Sequence, residues 1–289
     1  MFDITVKQIH TNIVTYLRYH IGKGEVMMKK LGILGLGHMG SAILEGALGT
    51  IGKDQLMVYD PLKEKTDAAK ARGIAVAEDE KELCRSCHMI LFAIRPQDVS
   101  QVLENMKGSA PECLLTIAAG VPIHRFTDVF EGLSVIRAMP NTPLQIGCGA
   151  VALCRNEACS DEDYAFAKQL FAKLGAVADI DESHMCDIIA VNGSTPAYFY
   201  YYIECMLEDA VNRGIREEDA RTLLVETMIG SGLLLRNNPE KPISTFVDEV
   251  CSKGGTTIEA INIFKASDFK EIVEKADSAC IRRAEELGK

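Results

Sequence analysis

A glycine-rich turn is the first feature of the chain that could do chemistry. Gly35, Gly37 and Gly40 follow an apolar run at 31–36 and open an amphipathic stretch that begins near His38. G-x-G-x-x-G spacing between a strand and a helix lets the backbone turn tightly and approach a pyrophosphate at the helix N-terminus. A turn without a ligand is the alternative, and the strand–turn–helix context favours a dinucleotide. We interpret His38 as a variable turn residue, not a general base.

An acidic residue closes the second predicted strand. Asp60 lies 20 residues beyond Gly40, where a carboxylate normally accepts hydrogen bonds from the adenosine ribose hydroxyls. Such a carboxylate also repels a 2′-phosphate, so Asp60 favours NADH over NADPH. Lys63 and Lys65 could neutralise that phosphate, and Asp60 could instead be a turn residue before Pro61. Both cofactors therefore stay open.

Five further segments carry residue types that suit a ligand site. Three follow predicted strands, and an open parallel sheet binds ligands beyond the carboxyl ends of its strands. The segments are Ala93-Ile-Arg95-Pro96-Gln97, Ala118-Ala119-Gly120-Val121, Arg137-Ala-Met139-Pro140-Asn141-Thr142-Pro143, Gly193-Ser194-Thr195-Pro196-Ala197-Tyr198 and Val250-Cys-Ser252-Lys253-Gly254-Gly255-Thr256-Thr257. With these segments in this order, the chain from about residue 30 onward closely resembles the pyrroline-5-carboxylate reductase family, which catalyses the last step of proline biosynthesis.

The resemblance implies a reaction and a set of site residues. The expected enzyme reduces 1-pyrroline-5-carboxylate to L-proline by hydride transfer from NADPH or NADH, and its helical domain forms a homodimer or a larger homo-oligomer. Thr257 matches the family's hydroxyl that hydrogen-bonds the ring nitrogen of the substrate. The implied substrate-binding residues are Ser252, Gly254, Gly255, Thr256 and Glu182. The implied cofactor-binding residues are Gly35, Leu36, Gly37, His38, Met39, Gly40, Asp60, Glu80, Ala93, Ile94, Arg95, Pro96, Ala118, Ala119 and Gly120.

The chain departs from the family pattern at four positions. Thr195 stands where glycine is common. Lys253 stands where proline is common, so the loop before Gly254 lacks a residue with a fixed φ. Asp60 replaces small polar or basic residues, and Glu80 occupies a position near the adenosine that is often Asn. The last two departures put a preference for NADPH in question.

Other functions share parts of this pattern. A β-hydroxyacid dehydrogenase, or a related imine oxidoreductase, has a similar glycine turn and a helical second domain. Hydroxyacid chemistry requires a lysine that the segment 192–202 lacks. A non-catalytic nucleotide-sensing protein would keep the turn and lose the substrate loop, yet Ser252, Gly254, Gly255 and Thr257 are all present. Assays with pyrroline-5-carboxylate, other imines and hydroxyacids distinguish these functions.

The elements that must position these residues alternate along the chain. Apolar runs separated by amphipathic stretches over 31–150 indicate βαβ units, and hence an α/β fold with a doubly wound parallel sheet. The pattern predicts two last strands at 151–154 and 176–180. Long helices are predicted at 184–213, with a break near Gly193, and at 217–236 and 257–285.

These elements divide the chain into three parts. Ile9, Ile13, Leu17 and Ile21 recur every four residues, which allows a short amphipathic helix before the first strand. We expect an N-terminal extension at 1–28, a dinucleotide-binding Rossmann domain at 29–181, and an all-helical substrate and dimerisation domain at 182–289.

Composition narrows the class of protein. With 47% hydrophobic and 25% charged residues, the chain can bury a core, and its net charge of −10 argues against a nucleic-acid partner. No apolar run approaches the roughly 20 residues that span a bilayer, so no membrane partner is expected. The ten cysteines, with no secretory signal, predict reduced thiols and a cytoplasmic enzyme. Cys84 and Cys87 have C-x-x-C spacing, but no second pair lies at ligand spacing, so no metal site is expected.

Overall fold

An eight-stranded sheet forms the centre of the computed structural model, which describes residues 28–289. The strand order is β3-β2-β1-β4-β5-β6-β7-β8. β7 runs antiparallel to β6, and the other neighbouring pairs are parallel. This sheet confirms the predicted α/β fold. The strands are β1 (Lys29–Leu34), β2 (Leu56–Tyr59), β3 (Ala75–Val76), β4 (Cys87–Phe92), β5 (Cys113–Thr116), β6 (Ser134–Pro140), β7 (Gly149–Arg155) and β8 (Gly175–Asp179).

Helices cover both faces of the sheet. They are α1 (His38–Ile51), α2 (Lys63–Ala71), α3 (Glu80–Ser86), α4 (Val99–Met106), α5 (His124–Thr127) and α6 (Asp161–Ala172). Strand β4 faces both layers, because Met89 and Leu91 share a core with α1 and α6, whereas Ile90 and Phe92 share a core with α3 and α4. All four side chains are fully buried, as expected for a parallel strand covered on both faces.

The remainder of the chain is helical. A single π-helical turn at Ile189–Gly193 precedes five helices. These are α7 (Thr195–Asn212), α8 (Glu217–Asn237), α9 (Ile243–Val250), α10 (Thr256–Ala266) and α11 (Phe269–Gly288). The buried residues within these five helices are Pro196, Ala220, Ala284 and Gly288, so the large apolar side chains of this region stay at least partly exposed.

The helical region differs from the prediction at two places. The stretch 257–285, predicted as one helix, forms α10 and α11. Asp268, between them, has a φ of 50°, a left-handed backbone that cannot continue a right-handed helix. Helix α9 was not predicted, because eight residues are too few to show a clear helical period.

Two expectations remain predictions. The N-terminal extension, with the possible helix through Ile9 and Ile21, lies outside the described residues except for Met28. The domain boundary between residues 181 and 182 also stays a prediction. Within residues 28–289, no helix combines the length and the apolar character needed to cross a bilayer.

Candidate active site

Two glycines of the turn are required by the fold itself. Gly35 has a φ of 99°, in the left-handed region, and a Cβ there would overlap the backbone oxygen of Ala93. A Cβ on Gly40 would overlap the backbone oxygen of Gly35, because α1 starts close to the end of β1. A side chain at Gly35 would therefore push apart the ends of β1 and β4, and one at Gly40 would push the helix away from the strand.

Gly37 is not restricted in this way, because no atom of the described chain lies within 4 Å of the position of its Cβ. Its backbone is extended, and it directly precedes α1, which has no side-chain cap and no acidic residue in its first turn. The helix N-terminus thus presents backbone N–H groups to open space, which suits an anion. This space fits the pyrophosphate of a dinucleotide.

A cavity of about 360 Å³ opens beside the glycine turn, where the carboxyl ends of β4, β5 and β6 meet. Its other walls come from three of the segments that carry the family resemblance and from Ile117, which follows β5. The lining residues are Gly37, His38, Met39, Ala93, Ile94, Arg95, Ile117, Met139, Pro140, Asn141, Thr142 and Gly193. The fold therefore gathers these distant segments around one space.

The predicted segment 118–120 lies beside this cavity, not in its wall. Gly120 has a φ of 80°, and its Cβ would overlap the backbone oxygen of Ala284 in α11. Arg125 donates to the carbonyl oxygen of Gly288 at 3.4 Å. The segment thus docks the C-terminal helix on the sheet. Pro96 starts a short 3₁₀ turn and also does not line the cavity.

Asp60 is buried, and the fold uses its carboxylate. Oδ2 accepts a hydrogen bond from the N–H of Leu36 at 2.7 Å, and Oδ1 accepts one from the N–H of Leu62 at 2.9 Å. The ammonium group of Lys65 lies 3.3 Å from Oδ2. Asp60 therefore braces the glycine turn, and Lys65 balances its charge. The reason for expecting Asp60 to repel a 2′-phosphate is correspondingly weaker.

A second cavity, of about 520 Å³, lies on the other side of the glycine turn. Its lining residues are Leu36, Gly37, His38, Ser41, Ala42, Glu45, Lys65, Gln145 and Leu174. Gly37 and His38 line both cavities, so they stand between them. A hydrogen bond from Arg72 lowers the pKa of Glu45. The charge of Glu45 in this wall is thus balanced by Arg72, whereas Lys65 faces both Asp60 and the cavity.

Glu80 lies at the start of α3, near the end of β2. Its Oε1 accepts a hydrogen bond from Nδ2 of Asn105 at 3.1 Å. Burial raises the pKa of Tyr59, the last residue of β2, and the charges of Glu80, Asp79 and Asp60 raise it further. Glu80 thus acts electrostatically on the end of β2, where the adenosine was predicted, although it lines neither cavity.

The predicted substrate loop forms a tight turn before α10. The N–H of Gly255 donates to the carbonyl oxygen of Ser252 at 2.9 Å, and Gly254 has a φ of 73°. Helix α10 begins at Thr256 with no side-chain cap, so its first N–H groups, next to Thr257, can bind a carboxylate. None of the residues 252–257 lines either cavity described above.

Glu182 holds the junction between the sheet and the helical region. Its Oε1 accepts a hydrogen bond from the N–H of Ile123 at 2.6 Å and lies 3.6 Å from Nη1 of Arg137. Arg137, on β6, is almost completely buried. The carboxylate is thus engaged by the fold and is not in the wall of the cavity, and its contact with the substrate stays a prediction.

The C-x-x-C pair consists of buried thiols. Cys84 lies in α3, and Cys87 begins β4. Burial raises the pKa of each thiol to about 12, so neither is a reactive thiolate at neutral pH. Within residues 28–289, no group of three or more His, Cys, Asp or Glu side chains could hold a metal ion.

Several cavity residues were missing from the predicted site. They are Ile117, Met139, Pro140, Asn141, Thr142 and Gly193. The sequence could have indicated these residues, because they lie at strand ends or in the segments that carry the family resemblance. Asn192 gave no such signal. Its contribution is visible only in the structure, where its Nδ2 donates to the carbonyl oxygen of Met139 at 2.8 Å.

Known proteins share this arrangement. The family model described as pyrroline-5-carboxylate reductase dimerisation matches residues 182–287, and the model described as NADP oxidoreductase coenzyme F420-dependent matches residues 30–120. A pyrroline-5-carboxylate reductase of Synechocystis is 33% identical to this chain, and the alignment covers 91% of this chain and 100% of the relative. The enzyme of the same name from Escherichia coli shows the same identity and the same two coverages.

A solved structure agrees with these relatives. The crystal structure of Plasmodium falciparum pyrroline carboxylate reductase with NADP bound has a TM-score of 0.81 and 29% identity, covering 90% of this chain and 98% of that one. Sequence and fold therefore match along nearly the whole of each protein. The chain belongs to the pyrroline-5-carboxylate reductase family.

Proposed function

We propose that this chain reduces 1-pyrroline-5-carboxylate to L-proline with NADPH. The observation that carries the proposal is the cavity in which the glycine turn and the ends of β4 and β6 meet Gly193. This cavity occurs in a chain that is 33% identical to a named reductase over that protein's full length. Bound NADPH supplies a hydride from C4 of its nicotinamide, and the protein supplies orientation and charge.

Residues of the sheet region bind and orient the cofactor. The N–H groups at the start of α1 face the open space at Gly37 and suit the pyrophosphate. Ile94, Ile117 and Met139 provide apolar walls that keep water from the nicotinamide. Lys65 contacts Asp60 and also lines the second cavity, which supports NADPH, because a 2′-phosphate bound there would share this ammonium group with Asp60.

Residues of the helical region bind the substrate. The N-terminus of α10 suits the carboxylate, because its first N–H groups have no side-chain cap. The hydroxyl of Thr257 donates a hydrogen bond to the ring nitrogen. This bond draws electron density from the C=N bond and makes its carbon a better hydride acceptor. As the hydride adds to this carbon, the ring nitrogen takes up one proton from solvent, which completes the secondary amine of L-proline.

The two halves of the site belong to different copies of the chain in this proposal. Within one chain, residues 252–257 line neither cavity beside the glycine turn. Large apolar side chains of α7 and α8 are exposed, among them Tyr201 and Leu223. A homodimer formed through the helical region covers these side chains and brings the substrate loop of one copy to the cofactor cavity of the other.

A reducing compartment suits this chain, and we place the enzyme in the cytoplasm. All ten cysteines lie within the described residues, and each is a free thiol. Burial raises the pKa of the Cys154 thiol, like those of Cys84 and Cys87, to about 12. Such thiols resist oxidation and need no disulfide partner.

Steady-state kinetics of the purified protein test the reaction. With pyrroline-5-carboxylate we expect oxidation of NADPH and formation of L-proline in equal amounts, and a larger kcat/KM than with NADH. The comparison panel contains acyclic imines and β-hydroxyacids. Folded protein that binds NADPH but turns over a hydroxyacid and not the cyclic imine would contradict the proposal.

A further inference from the structure

Two asparagine side chains join the sheet to the helical region at the cavity. Asn141 follows β6 and lines the cavity, and Asn192 precedes Gly193 in the π-helical turn. Nδ2 of Asn192 donates to the carbonyl oxygens of Met139 at 2.8 Å and Ala150 at 3.1 Å, and its Oδ1 accepts from Nδ2 of Asn141 at 2.9 Å. Two carbonyl oxygens face the same end of the Asn192 amide, so that end is the NH₂ group.

These contacts close the end of the ladder between β6 and β7. The paired residues end at Pro140 and Val151, and Pro140 has no N–H to donate. Beyond that pair, both backbone groups of Ala150 are satisfied by side chains. Its N–H donates to Oδ1 of Asn141 at 2.9 Å, and its carbonyl oxygen accepts from Asn192. Asn192 therefore replaces a strand partner and fastens the turn before α7 to the sheet.

The space at this junction is narrow. A Cβ on Gly193 would overlap Cε of Met139, and both residues line the cavity. Gly193 therefore packs against the end of the Met139 side chain, and a movement of the turn shifts one wall of the cavity relative to the other. Hydride transfer is sensitive to such a change, because the reacting atoms must be held close together and aligned.

We propose that Asn192, held by Asn141, is a positioning residue for hydride transfer. It fixes Gly193 against the sheet and so sets the space in which the nicotinamide lies, and its own side chain does not line the cavity. The inference rests on the proposed function for its kinetic test. A second test, on the bound cofactor alone, needs no substrate.

Three variants separate positioning from a general effect on stability. Asn192→Asp places an oxygen against two carbonyl oxygens, and Asn141→Asp removes the donor to Asn192. Asn156→Asp is the matched control at the other end of β6. There, Oδ1 of Asn156 accepts from the N–H of Val135 at 3.0 Å, and its Nδ2 donates to the carbonyl oxygen of Leu133 at 2.8 Å.

The expected results differ between the two ends of β6. Asn192→Asp and Asn141→Asp should lower kcat by about 10–100-fold and change the Kd of NADPH by less than about threefold. They should also raise the primary isotope effect with NADPH deuterated at the transferred position, and shorten the fluorescence lifetime of bound NADPH. All three variants should lower Tm by similar amounts. Asn156→Asp should do so without changing kcat, the isotope effect or the fluorescence lifetime.

Two results would overturn the inference. One is an Asn192→Asp protein with the wild-type kcat, isotope effect and lifetime, and the other is an equal loss of kcat in Asn156→Asp. If Asn192→Asp does not fold, Asn141→Asp and Asn192→Ser provide the same comparison. If the wild-type protein does not reduce pyrroline-5-carboxylate, the proposed function fails, and the lifetimes still decide whether Asn192 positions the cofactor.

Discussion

The sheet region and the helical region bury their apolar side chains to very different extents. Met89, Ile90, Leu91 and Phe92 of β4 are completely buried, whereas Tyr201 in α7 and Leu223 in α8 are 69% and 67% exposed. The sheet has helices on both faces, so it completes its core within one chain. The large apolar side chains of helices α7 to α9 stay partly or largely exposed within one chain. The proposed cofactor cavity is therefore lined mainly by the self-sufficient region, with Gly193 from the helical region, and the proposed substrate loop lies in the dependent region.

The apolar side chains exposed in the helical region represent a large free energy of burial. Covering one large apolar side chain contributes about 1.5–3 kcal/mol, so covering five of them contributes on the order of 10 kcal/mol. This figure is similar to the free energy of unfolding of a whole domain. The helical region thus has a strong physical reason to associate.

The largest effects are expected at the glycine turn. Gly40→Ala should lower the free energy of unfolding by about 3 kcal/mol or more, because its Cβ overlaps a backbone oxygen. Gly37→Ala should leave Tm unchanged and weaken NADPH binding by about tenfold or more, because only the ligand needs that space. Thermal unfolding and fluorescence titration measure the two quantities. An equal loss of Tm in both variants would show that Gly37 is also required by the fold.

Subunit mixing tests the connection between the regions. Gly37→Ala weakens NADPH binding in a copy, and Thr257→Val removes the hydroxyl from its substrate loop, so at NADPH concentrations below the Kd each homodimer should keep about a tenth of the wild-type activity or less. A mixed dimer with shared sites contains one site built from two intact halves, so random exchange of equal amounts should restore about a quarter of the wild-type activity. Exchange without any recovery would contradict a site shared between copies.

Leu234→Glu, on the exposed face of α8, should abolish both assembly and activity and leave NADPH binding intact.

The sequence predicted the sheet region well because its signals are local. The apolar runs predicted over 31–150 and the two last strands predicted at 151–154 and 176–180 are present as strands. The signal is clearest for the central strands β4 and β5, which are buried between two helical layers. The roles of Gly35 and Gly40 also follow from local spacing. The role of Asp60 in bracing the glycine turn was not predicted. Its partner there is the backbone N–H of Leu36, which is 24 residues away and which no side-chain type reveals.

The helical region was harder to predict for a physical reason. Its large apolar residues are mostly exposed within one chain, so their spacing does not report which residues share a core. Helix α9, which was missed, has no buried residue of its own. The substrate loop was predicted from the family resemblance, and nothing in the spacing of residues 252–257 shows that they lie away from the cavity of their own chain. Asn192 was missed because its partners are backbone carbonyl groups.

The hydroxyl of the substrate loop should have a smaller but clear effect. Thr257→Val should lower kcat/KM by roughly 10–1000-fold, equivalent to about 1.4–4 kcal/mol, because the ring nitrogen loses its donor. Thermal stability should change little. Thr256→Val is the matched control, since it removes a neighbouring hydroxyl and keeps the backbone N–H groups of α10. Equal kinetic losses in both variants, or none in Thr257→Val, would assign Thr257 only to the helix start.

The preference for NADPH or NADH tests the role of Lys65 beside Asp60. Lys65→Met should weaken NADPH binding by about 5–20-fold and NADH binding little, because it removes the cation and leaves Asp60 unbalanced. Lys63→Met is the control, since Lys63 lines neither cavity. Calorimetric titration of both dinucleotides measures the effect. If the unmutated protein binds NADH more tightly than NADPH, Asp60 acts on the ribose despite its contacts with the fold.

The smallest effect is expected far from the site, at His88. Its Nδ1 lies 2.6 Å from Glu112 and its Nε2 lies 2.7 Å from Asp163, at the end of β4 opposite the cavity. Burial alone would lower the pKa of His88, but the hydrogen bonds to Asp163 and Glu112 outweigh it and raise the pKa above 6.5. A raised pKa in the folded state stabilises the protein below the unfolded pKa, and this contribution is lost as pH rises through the folded pKa.

His88→Gln should therefore lower the free energy of unfolding more at pH 6 than at pH 9, measured by urea denaturation. The difference should be below about 1 kcal/mol, because the imidazole is partly exposed and its charge is screened. Activity at a fixed pH should not change, because the contacts of His88 with Glu112 and Asp163 lie within the sheet region and away from the cavity. A destabilisation that grows toward pH 9 would mean that burial dominates and that the two carboxylates do not keep His88 protonated. The stability of the self-sufficient region would then depend on its apolar core with no measurable help from this cluster.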